Sequence, residues 1–98
     1  MNYKEAITAD QRLLILRALS QAHKYTAAAR LLRSFLDSLG RPVSSDLVEH
    51  DLAWLAEMGL ITTARLGQET AATLLPRGLD VAEGRTVVPG VRRPEPGE

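Results

Sequence analysis

Residues 42–61 read P-V-S-S-D-L-V-E-H-D-L-A-W-L-A-E-M-G-L-I, and the reading of this stretch decides the fold. Ser44 or Ser45 opens it as a helix cap, because a short hydroxyl side chain can satisfy the free N–H groups of a first turn. Val48, Leu52 and Leu55 then recur on one line of a helix, the spacing of a core seam. Leu47, Trp54 and Met58 form a neighbouring stripe. Asp46, Glu49, His50, Ala53 and Glu57 fall on the opposite side, facing solvent. Gly59 stops the helix, and L-I-T-T-A-R-L (60–66) follows at once as a strand. Gly67-Gln68 turns the chain, and residues 69–75 return as the second arm of a hairpin.

The region before this stretch supplies two more helices. Thr8-Ala9-Asp10-Gln11 fits a capping box, so a first helix is expected over residues 9–22. Leu13, Leu16 and Ser20 make one row of it, and Ile15, Leu19 and Ala22 make the next. Leu14 widens the apolar arc, which suits either a helix central to the domain or one also buried against a second subunit. After a short step at Tyr25-Thr26, a second helix capped by Thr26 runs to Gly40. Ala28, Leu31, Leu32, Phe35, Leu36 and Leu39 are expected inward; Arg30, Arg33 and Asp37 outward. Pro42 forbids continuation of that helix.

Beyond the hairpin, Pro76 suits a first helical turn, and a brief helix is expected up to Glu83. The domain is read as residues 1–85. Residues 86–98 are read as an extended or disordered tail: Thr86 to Val91 is apolar and extended, packing on its own domain or reaching across to another, and R-R-P-E-P-G-E, with no packing signal, is expected to be disordered. Two helices, a turn, a third helix and a two-stranded wing make a winged helix-turn-helix, mainly α with a small antiparallel hairpin.

The bulk properties narrow the function. Ninety-eight residues support one modest core, and 45% hydrophobic with 24% charged residues is the composition of a globular protein. No run approaches the ~18 apolar residues of a membrane helix, and the amino terminus has no secretory h-region. With no cysteine, disulfides, thiolate nucleophiles and cysteine metal sites are excluded, and a reducing cytoplasm fits. Asp46 and His50 share a helical face with Glu49, but a solvated polar face accounts for them, and no metal site is read there. No serine elbow or phosphate-cradling glycine loop is present. The expectation is a protein that is not an enzyme and has no cofactor and no evident small-molecule effector.

Twelve basic residues balance twelve acidic ones. Residues 1–40 carry a net +3 and residues 41–60 a net −3, so the recognition helix is the acidic part. In a winged helix that element enters the major groove while the wing reaches the backbone. Ser44, Ser45, Glu49 and His50 are the candidate groove residues; Arg30, Arg33, Arg41 and Arg65 are the candidate phosphate contacts. A surface pair of Arg33 with Asp37 is the competing reading. Leu14, Trp54 and Met58 are candidates for a partner or dimer interface, tryptophan being enriched at hot spots. Two functions stand: a transcription-related DNA-binding protein, in which a homodimer would merge two basic patches, and a winged helix reused to contact proteins.

Two resemblances add to this. D-Q-R-L-L-I-L-R-A-L (10–19) and D-L-A-W-L-A-E-M-G-L-I (51–61) resemble the opening and recognition helices of arsenical-repressor-type (ArsR) winged helices. The cysteines of metal-responsive members are missing, so metal sensing is not implied. Together with R-G-L-D-V-A-E-G-R-T-V-V-P-G-V (77–91), these segments are similar to a group of small Mu-like prophage proteins. That resemblance implies the winged-helix fold and a phage origin, and supplies no catalytic residues.

Overall fold

The computed structural model of the chain describes residues 2–98. Its elements are α1 (Tyr3–Gln21), a short 3-10 turn (His23–Tyr25), β1 (Thr26–Ala28), α2 (Ala29–Ser38), α3 (Ser45–Glu57), β2 (Ile61–Leu66), β3 (Glu69–Leu74) and α4 (Pro76–Ala82). The strands form one antiparallel sheet in the order β1-β3-β2. The architecture is a winged helix.

α1 starts six residues earlier than the Thr8 cap implies. Asn2 caps it instead, its side-chain oxygen accepting from the Glu5 N–H over 2.9 Å while Glu5 sits at the third helical position. The Asn2 side-chain N–H in turn donates to the Glu5 carboxylate over 3.4 Å, and this upstream cap leaves Thr8 inside the helix. Leu13, Ile15, Leu16 and Leu19 are fully buried, so α1 is the axis of the core.

α2 departs from expectation twice. Thr26 does not cap it: residues 26–28 form a strand, with Thr26, Ala27 and Ala28 opposite Thr73, Ala72 and Ala71. The Thr26 and Thr73 hydroxyls meet at 2.9 Å. The helix then buries only Ala29, Leu32 and Leu36, and Leu31, Phe35 and Leu39 are exposed. α2 lies between α1, α3 and the sheet, and those neighbours cover a narrower arc than its apolar residues span.

The deciding stretch folds as read. The Ser44 hydroxyl caps α3 by accepting from the Leu47 N–H over 3.0 Å. Val48, Leu52 and Leu55 are buried in the core, on the helix that packs against α2 and β2. Gly59, at φ +77°, lets the Leu60 N–H reach back to the Leu55 carbonyl (3.0 Å), which closes the helix and launches β2. The hairpin pairs Ile61 with Leu74 through Leu66 with Glu69 around Gly67-Gln68.

Residues 86–98 have no helix or strand but are not loose. Val88 and Val91 are buried, and the Arg92 N–H donates to the Ala9 carbonyl over 3.1 Å. Asp10 accepts from both Arg41 and Arg92, and Glu98 accepts from Arg17 and Arg92. The segment thus closes over α1 through two buried valines and a charge cluster, features that carry no periodic signal.

Candidate nucleic-acid interface

Ser45, Asp46, His50, Ala53 and Glu57 lie along the exposed side of α3, turned out by the same periodicity that buries Val48, Leu52 and Leu55. Ser44 is also exposed, with its oxygen engaged as the cap. Glu49 is half-buried. It accepts from the Thr70 hydroxyl over 2.8 Å, and Arg65 donates to that same hydroxyl over 2.9 Å. Helix α3 is therefore pinned to the hairpin through a wing arginine, a buried threonine and a carboxylate.

The four candidate arginines are not equivalent. Arg33 donates through Nε to the Val43 carbonyl (3.0 Å) and through Nη1 to the Ser45 hydroxyl (3.1 Å). It therefore braces the turn between α2 and α3, and pairing with Asp37 is not what it does. Arg41 is drawn away to Asp10 on α1. Arg30 lies 3.6 Å from Glu69 with most of its side chain in water. Arg30, Arg33, Ser45, Glu49, Leu66 and Glu69 line an open cleft of about 530 Å³ between α2, α3 and the hairpin. The structure brings together Arg30, Arg33, Ser45 and Glu49, sets Arg65 beside them through Thr70, and separates Arg41.

The three candidate partner residues are not one patch. Leu14 lies in a groove between α1 and α2. Met58 is half-buried at the end of α3, where Arg77 donates to its carbonyl over 2.6 Å. Trp54 is half-buried on another side, under the Arg12 guanidinium, 3.9 Å from its ring centroid.

That stacking belongs to a site the sequence reading missed. Arg12 Nε donates to Asp51 over 3.1 Å, and Arg12 Nη1 donates to the Gly90 carbonyl over 3.3 Å. Asp51 is as buried as the leucines around it. Burial pushes its carboxyl above the ordinary carboxylate value, and the Arg12 hydrogen bond opposes that rise. Asp51 lies three residues past Val48 and four before Leu55, inside the inward arc of α3. An acid at that position is the signal that a buried cation would face it.

Among the described residues no cluster of histidine, cysteine or acid groups could hold a metal ion, and no helix is long and apolar enough to cross a membrane.

Solved structures share this fold. RosR of H. salinarum, in a structure grown from NaBr, superposes with a TM-score of 0.65 at 17% identity, over 74% of this chain and 66% of that one. The complex structure of hsRosR-S1 matches with a TM-score of 0.66 at 16% identity, over 82% and 70%. No protein-family model matches the chain. An uncharacterised protein of Haemophilus influenzae is 48% identical over 66 residues, 67% of this chain and 64% of that protein, so the chain spans under two thirds of that relative's length. The uncharacterised protein gp26 of Escherichia phage Mu is 44% identical over 92 residues, 94% of this chain and 95% of gp26. With that identity along nearly its whole length, the chain belongs to the family of phage Mu gp26.

Proposed function

We propose that this chain is a phage-derived, DNA-binding winged-helix protein that acts as a transcription-related accessory factor in the cytoplasm of the host, and that it is a binding protein and not an enzyme. The observation that carries the reading is the exposed side of α3 set beside the hairpin, with Arg30 and Arg65 on its flanks. Ser45 and His50 face the major groove, with Glu49 held behind them on Thr70; Arg30 and Arg65 follow the phosphates, Arg33 stands beside them bracing the turn, and Ser44 holds the helix end. Arg41 stays in its charge cluster with Asp10. Two or three phosphate contacts against the acids Asp46 and Glu57 make for weak binding. The affinity should fall with salt at a slope of about −2 to −3 on logarithmic axes.

Titration of duplex DNA at two salt concentrations tests this. Binding at low salt that weakens with that slope supports it, and no binding at low salt, or binding indifferent to salt, overturns it. The acidic side of α3 favours a second reading, a winged helix that docks a basic surface of a phage or host protein. Under that reading duplex DNA fails to bind at any salt concentration, and Asp46→Asn with Glu57→Gln weakens capture of the protein partner.

A further inference from the structure

The groove between α1 and α2 has no part in the interface above. Leu14, Ala18 and Leu32 are in the apolar part of its lining, Arg17 and Gln21 of α1 also line it, and Leu31, Phe35 and Leu39 stand along it. These last three side chains are 53%, 38% and 47% exposed. They are spaced four apart, which makes them one ridge of the kind that packs into the groove of a facing helix. Ser34 and Ser38 are the neighbouring exposed positions of α2, while Arg30, Arg33 and Asp37 lie on its other side.

We propose that this groove is the contact between two copies of the chain, arranged about a two-fold axis that passes near Phe35. Two observations select a second copy over another occupant. First, a two-fold axis brings each residue near its own image, so a charge at the centre would repel itself; here the centre is phenylalanine with leucines and serines beside it. Second, the surface is both ridge and groove. Two antiparallel α2 helices centred on Phe35 set Leu31 of each against Leu39 of the other, and each ridge enters the other's groove over Leu14 and Ala18. The apolar area offered is on the order of 300 Å² per copy, the size of a functional patch on a small monomer. It is enough for the centre of a small interface, whose total would fall at the weak end of stable contacts. The dimer is therefore expected to be weak and to build up only toward the concentrated end of a titration. The proposal does not rest on DNA binding, since the contact leaves α3 and the hairpin of each copy free and is read without nucleic acid.

Sedimentation velocity across a concentration series should show wild-type chain passing from monomer to dimer. Phe35→Glu should hold it monomeric and folded, with a melting temperature that no longer rises with protein concentration as that of wild type does. The chain has no cysteine. Phe35→Cys should therefore form a disulfide-linked dimer under mild oxidation, and Val87→Cys, exposed elsewhere, should not. A wild-type chain that stays monomeric at millimolar concentration overturns the assignment, whether the groove is then vacant or meets a different partner. So does a dimer that survives Phe35→Glu, or one cross-linked through Val87→Cys and not through Phe35→Cys.

Discussion

Arg12 donates through Nε to Asp51 across 3.1 Å, joining α1 to α3 at a point water scarcely reaches. Burying two charges costs solvation that their attraction only partly offsets, so the pair matters most through what its loss would leave behind. Asp51→Ala strands a guanidinium between Trp54 and Gly90, and is expected to destabilise the fold by about 3–5 kcal/mol. Urea denaturation of Arg12→Ala, Asp51→Ala and the double variant should show the double costing less than the two singles combined.

The same carboxyl sets one part of the acid response. Its pKa in the folded chain lies above the ordinary 3.8, so the folded state holds that proton more tightly than the unfolded one. The contribution of Asp51 is present in full below 3.8 and is lost as pH rises through the folded value. Wild type should therefore gain stability relative to Asp51→Asn as pH falls from 7 toward 4, as followed by urea midpoints. Glu98 runs the other way. Hydrogen bonds from Arg92 and from the Glu95 N–H hold its carboxyl well below 4.5, and the advantage of wild type over Glu98→Gln should fade as pH drops below that value.

Gly90 is fixed by its surroundings. Its φ is +99°, and a Cβ there would lie 2.7 Å from the Trp54 ring. Gly90→Ala combines backbone strain with a clash against an indole that Arg12 already covers. A loss of about 2–4 kcal/mol is expected from the two effects together, measured by thermal or urea denaturation.

Under the DNA-binding reading the arginines should separate by experiment. Arg30→Ala and Arg65→Ala should each reduce the salt slope of binding by about 1, with the fold intact. Arg41→Ala should lower the melting temperature and leave the slope unchanged, because its guanidinium is held by Asp10. Asp46→Asn with Glu57→Gln should tighten binding at low salt, since both acids face the polyanion.

How much of this was legible in the sequence depends on how local each cause is. The α3 seam, its serine cap, Gly59 and the hairpin turn are set by neighbours within a few residues, and all of them read correctly. β1 is three small residues whose strand character comes only from pairing with Ala71–Thr73, far along the chain. The apolar spacing of α2 marks an amphipathic helix but cannot say how many neighbours will cover it, so Leu31, Phe35 and Leu39 read as buried. At the interface, the types of Arg33 and Arg41 suggested phosphate contacts. Their partners, Val43, Ser45 and Asp10, came from geometry. The closing segment depends on Arg92 meeting Asp10 and Glu98 meeting Arg17, pairs about eighty positions apart in sequence.

The chain has one tryptophan, and its indole sits beneath a guanidinium from the first helix and against a glycine of the last segment. Its emission is therefore a built-in optical gauge of whether the carboxy-terminal arm is seated. Any peptide appended after residue 98 can be checked for prying that arm loose with a spectrometer alone and no added label.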